Sequence, residues 1–190
     1  KTLRGPRSAL ILCKKKFARK IDLGVFPGIQ GGPHEHTIAA KAVSFKEAMT
    51  PDFKNYSEQI VKNAKVLAET LMENGVKLVS NGTDNHLILI DLIRTKSVAK
   101  EGAGIKAAVS LEEAGIVTNA NTIPFGTGDP LNPCGVRIGT PVLTTRGMKE
   151  SEMKSIGEWI ANVLENIDNK NTIIKTRENV RELCSNFPFY

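Results

Sequence analysis

Val76-Lys77-Leu78-Val79-Ser80-Asn81-Gly82-Thr83-Asp84-Asn85-His86-Leu87-Ile88-Leu89-Ile90-Asp91-Leu92 decides the fold class. Val76 to Ser80 and His86 to Leu92 are rich in Val, Ile and Leu, which predicts two short strands. The five residues between them, Asn81 to Asn85, are turn formers. Upstream, a helix is predicted from about Asp52 to Asn74. Tyr56, Ile60, Val61, Ala64, Leu67, Ala68 and Leu71 form its apolar stripe at three- and four-residue spacing. Asn74-Gly75 stops it. Downstream, Ala99 to Ala114 predicts a helix ended by Gly115, and Ile116 to Asn119 a further strand. Ala120 to Gly135 is polar and rich in Gly and Pro, too long for a simple connection, and reads as a functional loop. Val136-Arg137-Ile138-Gly139 is strand-like. Two helices close the chain. Lys149 to Ile167 carries Met153, Ile156, Trp159, Ile160, Val163 and Leu164, and Thr172 to Ser185 carries Ile173, Ile174, Val180, Leu183 and Cys184. Strands alternating with helices predict an α/β fold.

Toward the N-terminus the pattern changes at Thr50-Pro51, because the residue before a proline avoids the helical region. Before this break Ile38, Ala42, Phe45 and Met49 predict a helix starting at Pro33. Gly24 to Gly32 reads as a loop, with four glycines and Pro27 in nine residues. Ala9-Leu10-Ile11-Leu12-Cys13 reads as a short buried strand. A lone strand leaves both edges unpaired. Residues 1–50 are therefore expected to be the end of a larger domain, and residues 51–190 a small α/β domain.

Composition excludes several classes. Hydrophobic residues make up 41% and charged residues 24% of the 190. That is ordinary globular usage and argues against a disordered, collagenous or disulfide-framed chain. No apolar run approaches the roughly 20 residues of a membrane helix. The net charge of +6 is spread out, with one dense patch at Lys14-Lys15-Lys16, Arg19 and Lys20. The surroundings of the patch are poor in aromatic residues and offer no stacking platform for bases, so nucleic-acid binding is not expected. Cys13, Cys134 and Cys184 are far apart, form no CxxC pair and read as reduced thiols in a cytosolic protein. His34 and His36, two apart, would point to different faces of a helix, so no metal site is expected.

Three features could carry chemistry. A lysine such as Lys1, held near a cation such as Arg7, can have a lowered pKa and form a Schiff base with a carbonyl. Alone, a terminal lysine is usually just solvated. Gly28-Ile29-Gln30-Gly31-Gly32-Pro33 precedes a helix, so its N–H groups could hold a phosphate. Its spacing is neither a Walker loop nor a dinucleotide fingerprint, and a tight turn would also explain it. Arg137, a charged residue between Val136 and Ile138, belongs on the outer face of a sheet or serves as a bidentate clamp for a carboxylate.

Taken in order, these segments resemble one family. Lys1-Thr2-Leu3-Arg4-Gly5-Pro6-Arg7 is similar to the lysine motif of the serine hydroxymethyltransferases, and Phe26 to Pro33 is similar to their glycine loop. Lys41-Ala42-Val43 with Lys46-Glu47-Ala48-Met49, Thr83-Asp84-Asn85-His86-Leu87 and Gly135-Val136-Arg137-Ile138-Gly139-Thr140-Pro141 follow in the same order. The resemblance spans residues 1–190. It implies roughly the C-terminal half of an aspartate-aminotransferase-like (fold type I) pyridoxal-phosphate enzyme, interconverting serine and glycine with tetrahydrofolate as co-substrate. It implies Lys1 as the lysine that carries the cofactor, Arg137 as the ligand of the substrate carboxylate, and Gly31 and Gly32 as contacts to the cofactor phosphate of a neighbouring subunit. Arg7 would lie near the cofactor, and Asn121 in the loop near the folate. A cytoplasmic homodimer or higher oligomer is implied for the full enzyme, with the C-terminal portion inactive alone. Two alternatives remain: a non-catalytic dimerisation or RNA-binding module derived from such an enzyme, and another aldolase of the same fold acting on β-hydroxy amino acids.

Overall fold

The computed structural model describes residues 2–98, 102–126 and 128–189. The chain divides into two compact units, Lys1–Asn55 and Tyr56–Tyr190. The first unit contains a 3-10 turn at Lys15–Phe17, α1 (Ala18–Leu23), a wound segment at Gly24–Ile29 and α2 (Glu35–Ala48). Phe26 leaves the helical region within the wound segment, so the expected loop is a broken coil turn. The strand expected at Ala9 to Cys13 does not form. The described residues of this unit contain no strand to pair with it, and Leu12 is 89% exposed.

Among its described residues, the only buried side chain is Ser44. Its hydroxyl donates to the Leu3 carbonyl at 3.0 Å, and a Cβ on Gly5 would stand 2.9 Å from its Oγ. Leu10, Ile11, Phe17, Leu23, Phe26, Ile29, Val43 and Met49 are all exposed. Thr50 caps the next helix, α3 (Pro51–Glu73), by accepting the Phe53 N–H at 3.3 Å.

The second unit holds a three-stranded antiparallel sheet. Its strands are β1 (Leu87–Asp91), β2 (Asn119–Asn121) and β3 (Gly135–Gly139), in the spatial order β1-β3-β2. Its helices, besides α3, are α4 (Ala103–Glu113), α5 (Pro141–Thr145), α6 (Glu150–Glu165) and α7 (Lys170–Asn186). The register pairs Ile88 with Ile138 and Ile90 with Val136, so these four share a face. All four are buried in one core with Leu67 and Leu71 of α3, Leu111 of α4, and Ile160 and Leu164 of α6. Each such side chain contributes about 1.5–3 kcal/mol on leaving water.

Helix ends follow the sequence signals. Gly75 (φ +81) and Gly115 (φ +83) adopt left-handed backbone. Gly75 N–H bonds Met72 and Val76 N–H bonds Leu71, which satisfies two carbonyls of the terminal turn. At the start of α6, Glu152 accepts the Lys149 N–H at 2.7 Å and the Ser151 hydroxyl at 2.7 Å. Partial burial pushes this carboxyl up, but those hydrogen bonds outweigh it and hold it below the usual carboxylate range.

Two local expectations change, and one helix was not expected. The strand expected over Val76 to Ser80 reduces to one bridge, Leu78 to Ile90, followed by a 3-10 turn at Val79–Asn81. The strand expected at Ile116 to Asn119 is displaced to Asn119–Asn121. Helix α5 was not signalled, because five residues are too few to show periodicity.

A buried polar cluster joins α3 to α5 and to the turn before α6. The Asn63 side chain, fully buried, donates to Thr144 Oγ1 and to the Met148 carbonyl, each at 2.9 Å. It accepts from Gln59 Nε2 at 2.9 Å, which also donates to Glu150 at 3.0 Å. Thr140 Oγ1 donates to the Ile60 carbonyl at 2.9 Å.

Candidate functional site

Arg137 lies on β3, the central strand, paired with Leu89 of β1 on one side and Asn119 of β2 on the other. Its neighbours Val136 and Ile138 are buried in the core, so strand alternation puts Arg137 on the opposite face. The same alternation puts Leu87, Asn119 and Asn121 on that face. Arg137 is half-buried and lines a groove of about 620 Å³ with Lys65, Glu69, Leu87, Leu89 and residues 79–85. Among the described residues its guanidinium makes no ion pair. The two ion pairs found are Arg94–Asp91 and Lys106–Asp168. A half-buried guanidinium with its fork uncommitted is suited to a planar anion such as a carboxylate.

The turn bordering this groove is tied down and strained. Thr83 Oγ1 donates to the Leu87 carbonyl at 2.6 Å, and Asn85 Oδ1 accepts the Leu87 N–H at 2.7 Å. Ser80 (φ 65) and Asn81 (φ 52) take left-handed backbone in succession. For non-glycine residues that costs about 1–2 kcal/mol each, and such strain concentrates at functional sites.

Asn121 is half-buried, and its Nδ2 donates to the Thr122 carbonyl at 2.7 Å. It begins a loop running to Gly135 in which Asp129 accepts the N–H groups of Leu131 and Asn132 at 2.7 and 2.9 Å. Arg137 and Asn121 are thus brought to one sheet face, as two positions on adjacent strands.

The first unit has its own pocket, of about 630 Å³. It brings together Arg7, Gly31 and Gly32, and adds His34 and Lys41. No carboxylate is among its described lining residues. A Cβ on Gly31 or Gly32 would meet nothing within 4 Å, so space for a ligand lies over both. Lys41 Nζ donates to the Ala9 carbonyl at 3.5 Å. Cationic side chains around open glycine backbone fit a phosphate monoester. Lys1, the remaining predicted site residue, lies outside the described residues.

Lys41 and Asn119 were not singled out as site residues from sequence, and His34 was weighed only as a metal ligand. His34 directly follows the Gly28–Pro33 loop, whereas Lys41 joins Arg7 only once α2 folds beside that loop, and spacing along the chain carries no trace of it. Asn119 was read as the end of a strand, and only the β2–β3 register sets it beside Arg137.

The serine hydroxymethyltransferase family model matches residues 1–160. A serine hydroxymethyltransferase of Methanospirillum hungatei is 57% identical over the whole chain, which covers 45% of that relative. Those of Koribacter versatilis and Acidobacterium capsulatum are 53% and 51% identical, again over the whole chain, which covers 43% of each. The chain thus spans less than half the length of the curated relatives it matches. With a family model over most of its residues and relatives matched along all of them, the chain belongs to the serine hydroxymethyltransferase family.

Proposed function

We propose that this chain is the C-terminal portion of a fold type I, pyridoxal-phosphate-dependent enzyme that interconverts serine and glycine with tetrahydrofolate as co-substrate. Arg137 carries the reading: a half-buried guanidinium with no ion pair among the described residues, on the sheet face opposite the core, above a groove large enough for an amino acid. In this role it binds the substrate α-carboxylate through two parallel N–H donors, fixing both position and rotation. When bound, pyridoxal phosphate supplies an electron sink through which a bond at the substrate α-carbon can break.

Lys1 would hold the cofactor covalently through its side-chain amine. Gly31 and Gly32 would present backbone N–H groups to the cofactor phosphate of a neighbouring subunit, and Arg7 would order the surrounding charge. The cationic lining of the first unit's pocket supports this assignment. Asn121 would contact the folate from the loop that follows β2.

Residues 1–50 would be the end of the large cofactor-binding domain, and residues 51–190 the small C-terminal domain. The exposed apolar side chains of the first unit support that division, because a run such as Leu10-Ile11-Leu12 is stable only when covered. The full enzyme would be a cytoplasmic homodimer or higher oligomer. Among the described residues no helix is long and apolar enough to cross a membrane.

Complementation tests the proposal. This chain is co-produced with the part of the Methanospirillum hungatei relative that lies outside its matched region. Restored pyridoxal-phosphate binding and serine turnover are expected. Failure of the two pieces to bind cofactor, when the intact relative does so under the same conditions, would contradict it.

A further inference from the structure

We propose that Lys41 is a ligand of the cofactor phosphate, held in place by its bond to Ala9. This rests on the reading of the first unit's pocket as a phosphate site. One face of α2 forms a wall of that pocket. His34, Thr37, Ile38 and Lys41 line it, at the three- and four-residue spacing that puts helical side chains in one row. Arg7 and the open backbone of Gly31 and Gly32 line it too.

Ser8, Gln30, His34 and Thr37 are further donors in the lining. Lys41 is selected by its own properties, not by their lack. It is half-buried in a unit whose side chains are mostly exposed, and it makes no ion pair among the described residues. Its bond to the Ala9 carbonyl, at 3.5 Å, uses one of the three N–H donors of the ammonium and leaves two. Three residues farther along α2, Ser44 bonds the Leu3 carbonyl. The two contacts tie the segment from Leu3 to Ala9 to α2 at both ends, with Arg7 between them. Lys41 is thereby held at the pocket before a ligand arrives, which lowers the entropy cost of engaging one. Arg7 and Lys41, with no carboxylate among the described lining residues, leave the pocket with unbalanced positive charge. A phosphate monoester balances it, and an ammonium meets phosphate as a point charge without needing one fixed angle. Donors from the rest of the polypeptide would add to this set without taking the charge of Lys41 out of the pocket.

The test uses the full-length polypeptide that carries this chain, freed of cofactor, with Lys41→Met, Lys41→Arg and Gly32→Asp made separately. Affinities for pyridoxal phosphate and for pyridoxal, which lacks the phosphate, are measured by absorbance titration. Lys41→Met should weaken pyridoxal phosphate by about 10- to 100-fold, the range for a hydrogen bond to a charged group. Pyridoxal should stay within twofold of wild type, so the preference for the phosphorylated form narrows by the same factor. Lys41→Arg keeps the charge and should recover most of the loss. Lys41→Gln is read in the same way and serves if the methionine variant does not fold. Gly32→Asp, which sets a carboxylate in the pocket, should weaken pyridoxal phosphate by at least about 10-fold through like-charge repulsion and spare pyridoxal. A lysine that only tied Ala9 to α2 would weaken both compounds alike when replaced. A preference within twofold of wild type in Lys41→Met, with the preference lost in Gly32→Asp, would overturn the assignment of Lys41 alone. An unchanged preference in Gly32→Asp would overturn the reading of the pocket and this inference with it.

Discussion

Replacing Asn63 by leucine is expected to lower the stability of this chain by about 2–4 kcal/mol. The side chain is fully buried, and it is the donor to Thr144 Oγ1 and to the Met148 carbonyl. Leucine supplies no donor, so the Met148 carbonyl is left without that partner in a buried setting, which alone costs about 1–3 kcal/mol. Loss of the Gln59 contact and the fit of a bulkier side chain add to this. Against a total of about 5–15 kcal/mol for a typical domain, the loss is large. Denaturant unfolding followed by the fluorescence of Trp159, which packs against the core, would measure it. A change below about 0.5 kcal/mol, the range of ordinary surface substitutions, would show that the amide cluster does not hold α3 to α5.

Arg137→Ala is expected to weaken serine binding by the full-length polypeptide by about 100-fold or more. Two charge-assisted hydrogen bonds to a carboxylate are lost, each worth about 1.5–3 kcal/mol, and 1.4 kcal/mol is a factor of ten. Arg137→Lys keeps the charge but not the fork, and should fall between wild type and alanine. Folding should be little affected, since Arg137 stands on the face away from Val136 and Ile138. Serine affinity within twofold of wild type in the alanine variant would remove Arg137 from the site.

What the sequence conveyed depended on how local each cause was. Helix α3 was legible because its apolar stripe repeats every three to four residues and Thr50-Pro51 and Gly75 mark its ends. The same reading passed over Asn63, since a periodicity argument looks for apolar residues and a buried amide interrupts it. Ala9 to Cys13 looked like a strand because its composition is that of one. Strand formation also needs a neighbour, which the described residues of the first unit do not provide. Arg137 was legible for the converse reason: a charge between two core residues on a short strand must face the other way. Asn119 became visible only through the register of β2 against β3, a tertiary fact. The grouping of Arg7 with Gly31, Gly32, His34 and Lys41 likewise follows from the fold of the first unit.

The most direct measurement is borohydride reduction of the full-length polypeptide loaded with pyridoxal phosphate, followed by peptide mapping. Reduction fixes the cofactor on whichever amine holds it. The expected result is a single adduct on Lys1, within the sequence Lys1-Thr2-Leu3-Arg4. An adduct on Lys41 or any other lysine, or none at all, would contradict the proposal that this chain supplies the cofactor lysine of the enzyme.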